Sequence, residues 1–372
     1  MKINKNVNLI RGLAILIILY YHISAVTNVK FNIEIIDYLN NFLGEVGVTI
    51  FFFISGYGIY SSLKRKNGNI KYSDYMKKRF SRIAPQYYVC IIICLLFTSA
   101  GAYISKNGIY SIFSHVFFIH NFFISHHGAI NGSLWSMGTI LQFYLIAPFI
   151  YKAMEKKPWL TAIGSVLLTV CFKYLIMGVI IPETVEEGIR GAYFWVYGRQ
   201  LITALDNFVI GMFIAKLLSE YDFESKIKKT NIIATILSFL ALCFVILVGC
   251  NYYNVPYFFG GIYESSIKAY TYHSILVIFI GIFIYFMSKI RIADIIYKPI
   301  NYISKYEYGI YLWHLPIINN LIERSEFIRS LIVNQNYFIY IIFMVIGTTF
   351  GIFMSEIIEK SNVFNKNKKS EN

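Results

Sequence analysis

Two residues near the start of the chain have side chains and a spacing that could do chemistry. Arg11 and His22 lie 11 positions apart in RGLAILIILYYH. At 100° per residue they come within about 20° of alignment after three helical turns. On a helix they therefore share one face, roughly 16 Å apart along the axis. A guanidinium at one end of that face can hold phosphate. An imidazole about halfway across can take a proton from a hydroxyl. The same residues would also serve as a topology anchor and as a packed, hydrogen-bonded histidine. A second pair, Arg79 and Arg82 in KYSDYMKKRFSRIAPQYY, falls at i, i+3 on one helical face. Pro85 follows and predicts a bend or a helix start there. With Lys77 and Lys78 the pair makes a dense cationic cluster. It suits a phosphorylated ligand such as coenzyme A, and equally the anionic headgroups of a membrane surface.

Other polar groups carry weaker signals. Gly44, Gly47, Gly56 and Gly58, with Ser55 and Ser61, give one apolar stretch small-residue faces that admit close approach. Ser55 is not part of a G-x-S-x-G elbow, so helix packing is the reading for it. His115, His120, His126 and His127 are irregularly spaced with no cysteine or carboxylate among them, which predicts a solvated or interfacial loop rather than a metal site. His314, in IYLWHLPII, either lines the same cavity as His22 or anchors the interface beside Trp313. Cys90, Cys94, Cys171, Cys243 and Cys250 lie in or beside apolar stretches, and the Cys90/Cys94 pair reads as packing.

These residues need elements to position them, and the composition says which. Of the 372 residues, 57% are hydrophobic and 15% charged, and 32 Phe and 31 Tyr outnumber 34 Lys and Arg plus 20 Asp and Glu. A soluble domain carries roughly 25% charge, so the bilayer is the natural solvent for this chain. Stretches long enough to span it run over 9–26, 42–63, 83–104, 133–151, 159–180, 201–218, 231–250, 270–288, 303–321 and 337–358. The apolar patch 109–125 is too short and too rich in His and Asn, and reads as re-entrant or interfacial. The first stretch carries Arg11 and His22 and lacks a small-residue cleavage site, so it reads as a retained helix rather than a signal peptide.

The loops test that layout. Alternate segments beginning with 1–8 hold 24 Lys and Arg, and the others hold 7; the remaining three, Arg11, Lys173 and Lys305, fall inside stretches. This positive-inside bias predicts an all-α polytopic membrane protein of about ten transmembrane helices with both termini cytoplasmic. One membrane-embedded domain is expected over 1–358, followed by a polar cytoplasmic tail, 359–372. The net charge of +14 is spread through loops and builds no base-stacking domain, so no nucleic-acid partner is expected.

Five motifs in order then carry a family resemblance. They are RGLAILIILYYH (11–22), GVTIFFFISGYGIY (47–60), RFSRIAP (79–85), SLWSMGTILQFYLIAP (133–148) and YGIYLWHLPI (308–317). Together the sequence resembles the acyltransferase 3 family of membrane-bound acyltransferases. The resemblance implies transfer of an acyl group, commonly acetyl, from cytoplasmic acyl-CoA to a carbohydrate hydroxyl at the plasma membrane, with no metal. It places Arg11 and His22 on the family's catalytic Arg–His pair. Arg79 and Arg82 fall on its R-x-x-R motif, on the acyl-CoA side. The chain departs from many polysaccharide-modifying members at Thr49, where they carry an acidic residue, and at Ile140 and Leu141, where they carry Glu. A carboxylate partner for His22 would then come from Glu34, Asp37 or Glu45. The hydrolase-like domain appended in some members has no counterpart in these 372 residues. The alternative reading is an exporter of surface polysaccharide or its precursor, although no inverted repeat is visible. A structural or sensory role is disfavoured by the cost of keeping Arg11 and His22 inside a span.

Overall fold

Lipid offers a backbone no hydrogen-bond partner, so long apolar stretches must close their own ladders as helices. The computed structural model describes residues 5–98, 106–180, 196–220, 228–253, 267–290 and 292–361, and among them every regular element is helical. The helices are α1 Lys5–Thr27, α2 Glu34–Lys64, α3 Tyr72–Thr98, α4 Lys106–Val116, α5 Trp135–Lys156, α6 Pro158–Leu175, α7 Leu205–Glu220, α8 Lys228–Tyr253, α9 Ile267–Met287, α10 Asp294–Lys305, α11 Glu307–Arg324, α12 Glu326–Val333 and α13 Phe338–Lys360.

Eight described stretches are long and apolar enough to cross a membrane: Lys5–Thr27, Phe42–Lys64, Tyr72–Phe97, Gly132–Lys156, Pro158–Leu175, Ile202–Glu220, Tyr270–Met287 and Phe338–Lys360. The chain is a multi-pass membrane protein. The expected stretch 231–250 appears as α8, whose apolar part is Ile233–Leu247. The stretch expected at 303–321 begins only at Glu307, because the preceding residues form the separate amphipathic helix α10. The patch at 109–125 does not span; it is α4 and a 3₁₀ turn, His120–Phe122. Pro85 neither starts nor ends α3, which runs through it. Its missing N–H leaves the Ser81 carbonyl without a helical partner. Most of the expected tail, 362–372, lies outside the described residues.

Contacts between distant residues sort the helix ends into two sets. At one end the Asn6 side chain donates to the Met287 and Ile290 carbonyls, both at 2.6 Å. Glu155 there takes Lys64 at 2.6 Å, Lys216 at 3.4 Å and the Tyr60 hydroxyl. Tyr306 donates to Glu356 at 3.0 Å. At the other end Tyr340 donates to the Val29 carbonyl at 2.8 Å, and the Lys30 N–H donates to Gln335 at 3.0 Å. Lys5 and Lys360, the outermost residues of α1 and α13, thus belong to the same end.

The small residues of α2 carry the packing expected of them. A Cβ on Gly44 would sit 2.6 Å from the Tyr21 ring, and one on Gly47 would sit 2.6 Å from Ile18. Gly56 meets the Phe208 backbone, and Gly211 of α7 reciprocally meets the Phe53 backbone. Such backbone approach is how helices associate where no hydrophobic drive separates protein from lipid. Large apolar side chains such as Leu96, Phe149, Trp159, Leu167 and Phe353 point outward, as a lipid-facing belt requires.

Candidate active site

The site is built on two helices, α1 and α11. Arg11 and His22 share a face of α1. Glu307 and His314 lie seven positions apart on α11, within about 20° of alignment after two turns, so they also share a face. The two faces meet rung by rung. Arg11 Nε sits 3.0 Å from Glu307 Oε2, and His22 Nδ1 sits 2.8 Å from His314 Nε2. The imidazoles lie 4.9 Å apart, inclined by 26°. Close neighbours hold the rungs in place. Gly12 packs on the Ile300 backbone of α10, Gly309 on Ser355 and Gly351 of α13, and Gly347 on His314 Cβ at a distance of 3.5 Å from its missing methyl.

The hydrogen bonds assign the proton positions. His314 Nδ1 lies 3.0 Å from the Ile310 carbonyl, which can only accept, so Nδ1 carries the hydrogen. In a neutral ring, His314 Nε2 is then an acceptor, and His22 Nδ1 must donate to it. This leaves His22 Nε2 as a bare lone pair. Fixing one ring nitrogen through the other's partner is how a histidine is prepared as a base. His314 itself is fully buried, and Tyr311, one turn earlier, is held by Ser136 at 2.8 Å and by the Ser133 carbonyl at 2.6 Å.

Arg79 and Arg82 take different roles. Arg79 is buried, with its guanidinium 5.4 Å from the Tyr75 ring centre and 5.9 Å from that of Tyr144, and its Nε has no hydrogen-bond partner among the described residues. The Arg82 side chain is 61% exposed and reaches Glu307 Oε1 at 3.9 Å. Glu307 thus lies between Arg11 and Arg82, and Tyr308 ties the start of α11 to the Ile83 carbonyl at 2.8 Å. Gly58 lets Arg11 approach α2, with 3.7 Å between a would-be Cβ and the guanidinium. One end of the site is therefore cationic, and the other carries the imidazole pair.

Several expectations change. No described carboxylate partners His22; its partner is His314. Glu45 lies 3.4 Å from His273 instead, while the side chains of Glu34 and Asp37 lie outside the described residues. Three of the four histidines of 115–127 are buried rather than solvated, and His126 is half-buried. His115 and His120 are fully buried with stacked rings 4.1 Å apart, and burial pushes them down to about 3 and about 4. His127 lies 3.0 Å from an Arg199 guanidinium nitrogen, and burial with that charge pushes it down to about 3. Arg199 also covers the Trp135 ring at 4.4 Å and lies within electrostatic range of His22. Ser55 bonds back to the Phe51 carbonyl, and Cys90 and Cys94 are buried 3.9 Å apart, both as packing predicts.

The sequence reading offered His314 for the cavity of His22, where the structure places it, but missed Glu307 as the partner of Arg11, although the same spacing puts it on the face of His314. It missed Arg199 because that residue stands in a short polar segment with no periodic context.

Comparison with known proteins follows the same outline. YrhL of Bacillus subtilis, which bears the name of a peptidoglycan O-acetyltransferase, is 28% identical over 336 residues, 83% of this chain and 48% of YrhL. The peptidoglycan O-acetyltransferase OatA of Listeria monocytogenes is 27% identical over 313 residues, 77% of this chain and 47% of OatA. ORF330 of Acidianus two-tailed virus, which bears the name of an acetyltransferase, is 24% identical over 312 residues, 82% of this chain and 81% of ORF330. The chain spans about half the length of the first two relatives. No solved structure matches it. The profile of the acyltransferase domain matches residues 4–356, all the described helices but the last residues of α13, and the chain belongs to the acyltransferase 3 family.

Proposed function

We propose that the chain is an O-acyltransferase that moves an acyl group, acetyl first, from cytoplasmic acyl-CoA to a hydroxyl of a cell-surface carbohydrate. The observation that carries this reading is the 2.8 Å contact between His22 and His314, which leaves His22 Nε2 as a base at the far end of a face that starts at Arg11. The names of YrhL and OatA support a peptidoglycan-like acceptor. The Lys and Arg bias supports a cytoplasmic location for the end that carries Arg11, Arg79 and Arg82.

Length supports the same donor. From its phosphate to its sulfur, the pantetheine arm runs about 14 bonds. At roughly 1.25 Å of advance per bond, its reach is about 17 Å. That matches the ~16 Å between Arg11 and His22 along α1. Arg82 is exposed and can meet the donor's phosphates, with Arg79 and Arg11 behind it. Glu307 anchors Arg11, so the cation stays aimed along the arm.

The chemistry then balances. His22 Nε2 takes the proton from the acceptor hydroxyl as that oxygen attacks the thioester carbonyl. A C–O bond forms, the C–S bond breaks, and coenzyme A leaves as thiolate. The His22 proton returns to the sulfur. While His22 is charged, its Nδ1–H donates to His314 Nε2, which stabilises the imidazolium. The reading is tested with the purified chain in nanodiscs, radiolabelled acetyl-CoA, and a panel of peptidoglycan fragments and surface glycans. Label on glycan is expected; no acyl-CoA turnover and no acyl-CoA binding would refute it.

A further inference from the structure

Five side chains from four helices meet near the His22 end of the bundle, and the transfer chemistry above uses none of them. Glu45 of α2 lies 3.4 Å from His273 of α9. Ser274, next to His273, donates to Asp206 of α7 at 2.5 Å. Lys173 of α6 lies within electrostatic range of both Glu45 and Asp206. All five are at most 9% exposed. Ionisable groups inside a membrane span are costly to keep without a use. Replacing a buried ion pair with apolar packing is often neutral or stabilising. Holding the helices together therefore does not account for them.

Their depth is informative. Glu45 and His273 stand three residues past the starts of the apolar stretches Phe42–Lys64 and Tyr270–Met287, Asp206 four past the start of Ile202–Glu220, and Lys173 two before the end of Pro158–Leu175. At 1.5 Å per residue the cluster lies only about 3–6 Å below one rim. Tyr21 links it to the base. The Tyr21 ring rests on Gly44, at 2.6 Å from the missing methyl, and Tyr21 adjoins His22 with ring centres 5.3 Å apart. Glu45 is the next residue along α2 and lies within electrostatic range of Tyr21.

The cluster is not self-satisfied. Among the described residues the buried Glu45 Oε2 receives no hydrogen bond, although His273 Nε2 lies 3.4 Å away. A buried carboxylate oxygen without a donor carries a desolvation penalty that an O–H donor relieves. Among ligands with several hydroxyls, a carbohydrate supplies such donors side by side. The opposite end of the molecule, with Arg79 and Arg82, suits phosphate instead. We infer that Glu45, backed by Lys173, Asp206, His273 and Ser274, forms the acceptor subsite, with Glu45 Oε2 accepting a hydrogen bond from a sugar hydroxyl adjacent to the one that His22 deprotonates. This deepens the acyltransferase reading and rests on it for the role of His22.

The experiment measures equilibrium binding of the disaccharide N-acetylglucosaminyl-N-acetylmuramic acid to full-length protein in nanodiscs, without acyl-CoA, and the acceptor and acyl-CoA KM in parallel. Glu45→Gln keeps the shape but puts an amide NH2, which cannot accept, in place of one carboxyl oxygen, so the disaccharide Kd and acceptor KM should rise about tenfold, with the acyl-CoA KM within about twofold of wild type. Ser274→Ala, a smaller change, should raise the same constants about threefold. Unchanged disaccharide Kd in folded Glu45→Gln, or a wild-type protein that does not bind the disaccharide, overturns the inference. So does a fall in kcat with both KM values unmoved, which marks a structural role. If wild type binds the sugar through Glu45 but never transfers label, the acyltransferase reading fails and the sugar site stands.

Discussion

Replacing His314 with leucine removes one atom that matters, the Nε2 acceptor 2.8 Å from His22 Nδ1. Leucine is close in volume and apolar, and the site is fully buried, so packing changes little. Two things are lost. His22 is no longer held in the tautomer with a bare Nε2, and the imidazolium formed during transfer has no acceptor for its Nδ1–H. A hydrogen bond from a charged donor contributes about 1.5–3 kcal/mol. At 1.36 kcal/mol per tenfold in rate, kcat should fall by roughly 10- to 150-fold. The acyl-CoA KM should hold, because the phosphate-facing residues are untouched. His314→Gln places an amide oxygen near the lost nitrogen and should recover part of the rate. The assay is steady-state transfer of label from acetyl-CoA to glycan, with thermal unfolding in detergent as the folding control. A folded His314→Leu with kcat within threefold of wild type, or a Gln variant no better than Leu, would refute this role.

Other outcomes follow from the same geometry. Arg82→Ala should raise the acyl-CoA KM about tenfold at low salt, with a smaller effect at high salt and partial recovery in Arg82→Lys; an unmoved KM counts against phosphate contact there. Gly56→Ala drives a methyl into the Phe208 backbone and should cost about 1–3 kcal/mol, read as a lower Tm; an unchanged Tm contradicts the close α2–α7 packing. Acid should destabilise the fold through His115 and His120. Their folded values, about 3 and about 4, lie below the ordinary 6.5, so the unfolded chain binds more protons between those limits. Stability is whole above pH 6.5 and falls as pH drops toward 4, by about 2 kcal/mol per histidine at pH 5. Thermal unfolding at pH 7.5 and 5.0 reads this directly, and a flat profile, or no flattening in His120→Gln, rules it out.

The apolar stretches and the charge alternation revealed most of the helices because span length and loop charge are properties of local sequence. The pairing of α1 with α11 was legible only in part: His314 was offered for the cavity of His22, but the Arg11–Glu307 rung joins residues that meet only in the fold. His22 was recognisable as an ionisable group within a span, but a carboxylate partner was also sought for it, and its partner proved to be the imidazole of His314. The α10 helix was hidden because its amphipathic face, with Ile295 and Tyr302 exposed, lacks the continuous apolar run that marks a span. Burial of His115 and His120 was equally invisible: polarity predicts solvation, while the stacking that desolvates them is tertiary. Glu45 was named as a candidate carboxylate partner for His22, but its contact is with His273 of α9 rather than with α1.

The central claim is that His22 Nε2 is the base. Its most direct test is single-turnover transfer of label from acetyl-CoA to glycan by His22→Ala beside wild type in nanodiscs, with acyl-CoA binding measured on the same samples. The rate should fall by about 10²–10⁴-fold while acyl-CoA affinity is retained. A folded His22→Ala that transfers label at the wild-type rate would contradict the account.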